Sequence, residues 1–147
     1  MYRLYYLGLI FLLGCDSNPI NDNDIINDDS SSISIFFGSI SNQTIELNLN
    51  TSHEIGGFQF TISGATITSF NDGLAQEYGF SIASNPDTGI IIGYSLSGNS
   101  IPSGSNGLLT NLNYINQNSS ICISDVILSD PDANSLNINL IGDCIEY

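Results

Sequence analysis

The chain has 147 residues, of which 41% are hydrophobic, a length that suits one domain with its own core. Fifteen acidic residues face a single Arg and no Lys, so the formal net charge is −14. This balance argues against a surface that binds nucleic acid or anionic lipid and against a phosphate-binding loop, since each of these requires Lys or Arg.

The first fourteen residues have the pattern of a secretory signal peptide. Arg3 gives a positive start, and residues 4–13 form an apolar run interrupted only by Gly8. Such a run fits a signal peptide and is shorter than the roughly 20 residues that span a bilayer. Residues 12–15 read Leu-Leu-Gly-Cys, which resembles the lipobox of bacterial lipoproteins. The alternative is an ordinary cleaved signal with an incidental cysteine.

The lipobox resemblance implies that Cys15 carries lipid and becomes the first residue after cleavage. Several acyl chains at Cys15 would anchor the protein to a membrane. We therefore expect an exported protein of the bacterial envelope, at the outer membrane or cell surface. Residues 15–31 then form the lipidated cysteine and an Asn/Asp-rich tether with five aspartates, a composition that keeps a segment extended and solvated.

From residue 32 onward, apolar and polar residues alternate with the period of two that is typical of β-strands. The alternating runs are 33–37, 44–50, 58–62, 90–96, 108–114 and 136–140. Clusters of Gly, Pro, Asn and Asp between them predict turns, and residues 73–78 offer at most one helical turn. Eight or nine short strands predict an all-β protein, an antiparallel sandwich or barrel.

Two cysteines remain after Cys15, and an even pair in an exported chain predicts a Cys122–Cys144 disulfide. Residue 133 lies midway between them in a predicted turn, so a simple hairpin would place the two cysteines opposite each other. Alternatively, the last strand crosses to the other sheet and the bond joins the two sheets. Either arrangement ties down the C-terminal strand.

Four segments together resemble a cohesin module in their order and spacing. Residues 56–62 read Gly-Gly-Phe-Gln-Phe-Thr-Ile, 89–98 read Gly-Ile-Ile-Ile-Gly-Tyr-Ser-Leu-Ser-Gly, 101–104 read Ile-Pro-Ser-Gly and 107–110 read Gly-Leu-Leu-Thr. The resemblance covers about residues 32–147. It implies a cohesin-like, two-sheet jelly-roll β-sandwich of about nine strands, related in architecture to carbohydrate-binding modules. Cellulosomal cohesins bind dockerin modules through one sheet face; this chain departs from them in its cysteine pair and shorter loops.

The residues that could carry catalysis are sparse. His53 is the only histidine and lies beside Glu54, and the chain has no Gly-x-Ser-x-Gly elbow. Asp72, Glu77 and Asp87 lie in predicted turns, where carboxylates mainly cap and solvate rather than hydrolyse glycosides. We therefore expect a protein that is not an enzyme and has no cofactor.

One acidic turn has part of a calcium motif. Asp130, Asp132 and Asn134 have the alternate spacing of the first three ligands in a calcium loop. Ser135 then stands where the loop needs Gly, and Ile141 stands where it needs Glu. A tight turn accounts for the pattern without metal, and a structural Ca²⁺ at these three residues is the alternative.

Tyrosines are the remaining candidates for a ligand surface, since the chain has no Trp for stacking on sugars. Tyr94 and Tyr114 lie on apolar parities and are predicted to face the core, whereas Tyr78 lies in a predicted loop and is the exposed candidate. Two binding functions remain, beside a structural envelope lipoprotein that has no specific ligand. The first is a lipid-anchored, cohesin-like binding or adhesion module for a protein at the cell surface. The alternative is a carbohydrate-binding module that holds polysaccharide at the envelope.

Overall fold

The structure is a computed structural model that describes residues 32–115 and 118–146. The predicted signal segment 1–14 and the whole predicted tether 15–31, which includes Cys15, lie outside these residues, so the predictions about them stay predictions. Within the described ranges, no helix has the length and apolar character needed to cross a bilayer.

Strands dominate the described chain, with a single five-residue helix, α1, at Gly73–Glu77. The eight longer strands are β1 Ile33–Ser41, β2 Thr44–Thr51, β3 Gly57–Ser63, β4 Thr66–Asn71, β5 Ser81–Ser84, β6 Ile90–Tyr94, β7 Asn106–Ile115 and β8 Ser120–Ser129. Three two-residue strands follow, β9 Ser135–Leu136, β10 Leu140–Ile141 and β11 Ile145–Glu146. The count is eleven rather than about nine because the C-terminal segment is divided among three short pieces.

The strands form two sheets whose mutual packing makes a jelly-roll sandwich, as the sequence predicts. Sheet 1 has the order β10-β1-β2-β7-β4, and sheet 2 has the order β11-β8-β3-β6-β5, with β9 pairing beside β8. Neighbouring strands are antiparallel except for β1 and β10, which are parallel. Non-sequential neighbours such as β2 and β7 make most contacts long-range in the chain.

The core fills the space between the sheets with the inward residues of alternating strands. In β2, Ile45, Leu47 and Leu49 are buried, whereas the polar residues between them are half-exposed. Phe58, Phe60 and Ile62 of β3 give the same pattern from the opposite sheet. Each such side chain contributes about 1.5–3 kcal/mol of burial free energy, which makes strict alternation a strong determinant of strand orientation. Tyr114 is also buried, as predicted.

Of the eight longer strands, β4, β5 and β8 fall outside the alternating runs, because two are interrupted by a bulge and one is short. A β-bulge between Ile67 and Ser69 interrupts β4, and another interrupts β8, where Asp125 has a positive φ of 49°. A bulge adds one residue and moves later side chains to the other face, so a period of two cannot run through it. β5 is only four residues long and lies at the edge of its sheet.

The C-terminal segment corrects the prediction of one strand over residues 136–140. β9 turns back onto β8 in sheet 2, and the chain then crosses to sheet 1, where β10 pairs with β1. It returns to sheet 2 as β11, which pairs with the start of β8. Gly142 allows this passage because a Cβ there would lie 2.5 Å from Phe36 Cβ.

The disulfide lies within sheet 2 and does not join the two sheets. Ile145 pairs with Ile121, so Cys144 lies opposite Cys122 within sheet 2, and the two are joined by a disulfide. The two cysteines are therefore opposite each other, as a hairpin would place them. The chain between them is not a simple hairpin, however, because β10 pairs with β1 in sheet 1. The disulfide closes a loop that contains β10.

Candidate functional site

The outer surface of sheet 2 carries a row of side chains that crosses four strands. Ala83 of β5, Ile92 of β6, Gln59 of β3 and Ile127 of β8 are paired in register, and Tyr94 lies two residues further along β6. We call these five residues the sheet 2 face. Because each belongs to a hydrogen-bonded strand, their relative positions are set by the sheet and not by loops.

Three apolar or aromatic side chains of the sheet 2 face are exposed to solvent. Ile92 is 42% exposed, Tyr94 41% and Ile127 51%, and all three line a shallow depression of about 330 Å³. Leu96, in the loop that follows β6, is 85% exposed. Single exposed apolar residues are ordinary, but neighbouring ones on a rigid surface mark an interaction site.

This arrangement corrects the prediction that Tyr94 faces the core. Residues 90–92 are all Ile, so both parities of β6 are apolar and alternation alone cannot assign the inner face. Ile91 and Gly93 point inward, and Ile92 and Tyr94 therefore point outward. The inward position of Gly93 makes room for Phe58: a Cβ on Gly93 would lie 2.0 Å from Cζ of that ring.

Acidic residues lie close to the sheet 2 face along the chain. Its own five members are residues of uncharged type, namely Ala, Gln, Tyr and two Ile. Asp87 in the β5–β6 turn, Asp125 in the β8 bulge and Asp130 directly after β8 are acidic, and no Lys or Arg follows Arg3 in the chain. The surface therefore has an apolar centre with acidic residues near its border.

Asp130, Asp132 and Asn134, the candidate calcium ligands, form a hydrogen-bonded turn. The Asp130 carboxylate accepts bonds from the backbone N–H groups of Asp132 and Asn134 at 3.0 and 2.8 Å, and from Asn134 Nδ2 at 2.9 Å. The bonds from Asn134, foremost that of its side chain, lower the pKa of Asp130 below its ordinary value of 3.8. Within the described ranges, no group of three or more His, Cys, Asp or Glu side chains could hold a metal ion.

Tyr78 differs from its predicted environment. It follows α1 as the C-cap residue, is half-buried and packs against the core. Its predicted position outside a helix is correct, but its predicted exposure is wrong: among the described tyrosines, Tyr94 is the exposed one.

His53 lies in the turn between β2 and β3, where its Nδ1 is 3.1 Å from Ser52 Oγ. The neighbouring Glu54 carboxylate accepts a hydrogen bond from Ser100. Among the three acids considered for catalysis, Asp72 caps α1, Glu77 ends it and Asp87 lies in a turn. At these positions the carboxylates have the capping and solvating roles that the sequence predicted.

Comparison with solved structures identifies the same sandwich in cohesin modules. A non-cellulosomal cohesin from the archaeon Archaeoglobus fulgidus is 17% identical, with a TM-score of 0.54 over 76% of this chain and 88% of that one. The sixth cohesin of scaffoldin B from Acetivibrio cellulolyticus, in complex with a dockerin, is 13% identical, with a TM-score of 0.55 over 78% and 98%.

A type I cohesin from Clostridium thermocellum, also in complex with a dockerin, is 11% identical, with a TM-score of 0.53 over 77% and 90%. No family model matches the sequence, and no curated protein matches it. At these identities the likeness establishes the fold: the chain carries a cohesin-like domain.

Proposed function

We propose that this chain is a non-catalytic binding module that engages a protein partner through the sheet 2 face at the bacterial cell envelope. The observation that carries the proposal is the exposed, uncharged row formed with Ile92 and Ile127 on a rigid sheet. Protein interfaces have such a centre, depleted of charge and containing an aromatic residue, here Tyr94. The dockerin complexes among structures of similar fold support a protein as the ligand.

The charge distribution specifies the chemistry of the partner. Acidic residues lie close to the sheet 2 face along the chain, and the described domain has no Lys or Arg to pair with them. A partner with an apolar centre and basic residues at its rim would complement both features. Rim charges of this kind mainly increase the association rate, and the apolar centre supplies most of the affinity.

Ile92→Asp tests this proposal. A carboxylate at the centre of the interface would be desolvated without a partner, so we expect retention of the envelope partner in a pull-down to fall by about tenfold or more. Ile115→Asp is the matched control, since Ile115 is also 42% exposed but lies at the end of β7 in sheet 1. Equal retention by both variants, measured again with the purified partner, would refute the assignment of the face.

We further propose that Cys15 carries the lipid that anchors this module, with residues 15–31 as its tether. The lipobox-like sequence supports this role, and an anchor of several acyl chains would concentrate the module at a membrane surface. Growth with labelled palmitate is expected to label the wild-type chain and a Cys122→Ser/Cys144→Ser variant, but not Cys15→Ser. Label retained in Cys15→Ser would rule out the anchor.

Polysaccharide remains the second candidate ligand because of the outer surface of sheet 1. Its outward positions carry amides, among them Asn50, Asn111 and Asn113, and Asn113 Nδ2 donates to Asn71 Oδ1 at 2.8 Å. Side-chain amides donate and accept hydrogen bonds, as sugar hydroxyls require. Retention on cell-wall polysaccharide that survives Ile92→Asp but is lost in Asn111→Ala would favour this function.

A further inference from the structure

A crevice opens at the edge of the sandwich, away from the sheet 2 face, where α1 lies between β4 and β5. It has a volume of about 390 Å³. Phe70, Phe80 and Ile82 form its apolar walls, and Asn71, Asp72, Gln76 and Thr110 provide its polar groups. Small-ligand sites have this composition, with apolar walls and a few polar groups that fix orientation, and this crevice is at the small end of their size range.

Asp72 at the crevice has a backbone conformation that is rare for any residue except glycine. Its φ of 66° and ψ of 177° are held by two local bonds: Oδ1 accepts from Gly73 N–H at 2.8 Å, and its own N–H donates to Gln76 Oε1 at 2.7 Å. Gly73 packs against the backbone of β7, where a Cβ would lie 2.5 Å from Leu109 O. Such conformations persist only where the surroundings enforce them, and they are concentrated at binding sites.

The only charged group that lines the crevice is the carboxylate of Asp72. Oδ1 of Asp72 is engaged with Gly73, and the second carboxylate oxygen has no hydrogen-bond donor among residues 32–115 and 118–146. Thr110 is only 1% exposed, and its hydroxyl makes two long contacts of 3.4 Å to backbone carbonyls. No Lys or Arg follows Arg3, so none among residues 32–115 and 118–146 can neutralise Asp72.

We propose that this crevice binds an organic cation, an ammonium or guanidinium group carried on an apolar stem. The head group would donate to the Asp72 carboxylate, and the stem would lie between Phe70 and Phe80. Aromatic ring faces also attract cations, so the two Phe rings and the Asp72 carboxylate favour the same class of ligand. The volume accommodates a stem of a few carbons, as in a free alkylamine or in a Lys or Arg side chain of another protein.

Amide chemical shifts of the ¹⁵N-labelled full chain in a mild non-ionic detergent would test the proposal. We expect n-butylammonium to shift the amides of Phe80, Ile82 and Thr110, whereas 1-butanol and butyrate at equal concentration do not. Asp72→Asn retains the acceptor for Gly73 N–H but removes the charge, and it should weaken butylammonium binding about fivefold. Asp87→Asn removes one charge from a distant turn and should leave the affinity unchanged.

Three results would overturn the proposal: equal shifts with 1-butanol, shifts spread over all acidic turns, or equal weakening by the two Asn variants. A parallel titration with N-acetyl-lysine methylamide identifies the source of the cation. If this compound binds more tightly than butylammonium, the natural ligand is a protein side chain; if it binds more weakly, the natural ligand is a free amine. Ile92→Asp should leave cation binding intact, so this proposal and that of the sheet 2 face can fail separately.

Discussion

Replacing Cys122 and Cys144 together by serine is expected to lower the free energy of unfolding by about 3 kcal/mol. The disulfide closes a loop with a sequence separation of 22, and removing it restores conformational entropy to the unfolded chain. Urea unfolding should show a lower midpoint together with a steeper slope, because the unfolded chain without the bond is more expanded. An unchanged midpoint would contradict this role.

The loss should be concentrated where the chain crosses between sheets. Asn139 N–H donates to Ile33 O at 2.9 Å and Gly142 N–H donates to Ile35 O at 2.8 Å, and these bonds attach β10 to β1. Both amides should exchange with solvent faster in the serine variant, beyond the change in global stability. Ser120→Ala is a suitable control: it removes the 3.0 Å bond to Glu146 that holds β11 but leaves the covalent link in place.

Gly93→Ala is expected to cost about 3 kcal/mol, a large effect for one added methyl group. The new Cβ would overlap the Phe58 ring, with Cζ at 2.0 Å. That ring stacks on Phe60 and on Phe80, each with a centroid distance of 5.8 Å, so it cannot move aside without disturbing a neighbour. Thermal unfolding measures the loss, and displacement of β6 should also weaken partner binding, since Ile92 and Tyr94 flank Gly93.

A double-mutant cycle separates this steric effect from the general cost of changing a glycine. With Phe58→Leu the ring is gone, and the added methyl should then cost about 1–3 kcal/mol less than in the wild type. Gly98→Ala serves as a control in open space, because no atom lies within 4 Å of its added Cβ. Its φ of 73° alone should cost about 1–2 kcal/mol. Additive costs for Gly93 and Phe58 would show that the ring does not set this position.

Much of the fold could be predicted from periodicity. Runs such as residues 44–50 and 58–62 alternate strictly, and in each the apolar members are buried. The single helical turn at residues 73–78 and the pairing of Cys122 with Cys144 also correspond to the structure. These features are local or follow from composition, because each depends on the chemistry of neighbouring residues or on the count of a reactive type.

The candidate site depended on information that periodicity does not contain. In β6 both parities are apolar, and packing of Phe58 against Gly93 decides that Ile92 and Tyr94 face solvent. The alternation of residues 136–140 predicted one strand, yet its two ends pair in different sheets. The Asp130 turn has calcium-like spacing, and only its bonds to Asn134 identify the carboxylate as an acceptor for its own loop.

The sequence by itself determined that this is an all-β protein with a buried alternating core and a negative charge that one Arg and one His hardly offset. The tertiary structure alone decided which apolar residues remain outside. Alternation specifies that two sets of side chains lie on opposite faces of a strand, but it does not specify which face meets the other sheet. That choice follows from the volume available between the sheets, where a glycine under an aromatic ring fits and a tyrosine does not.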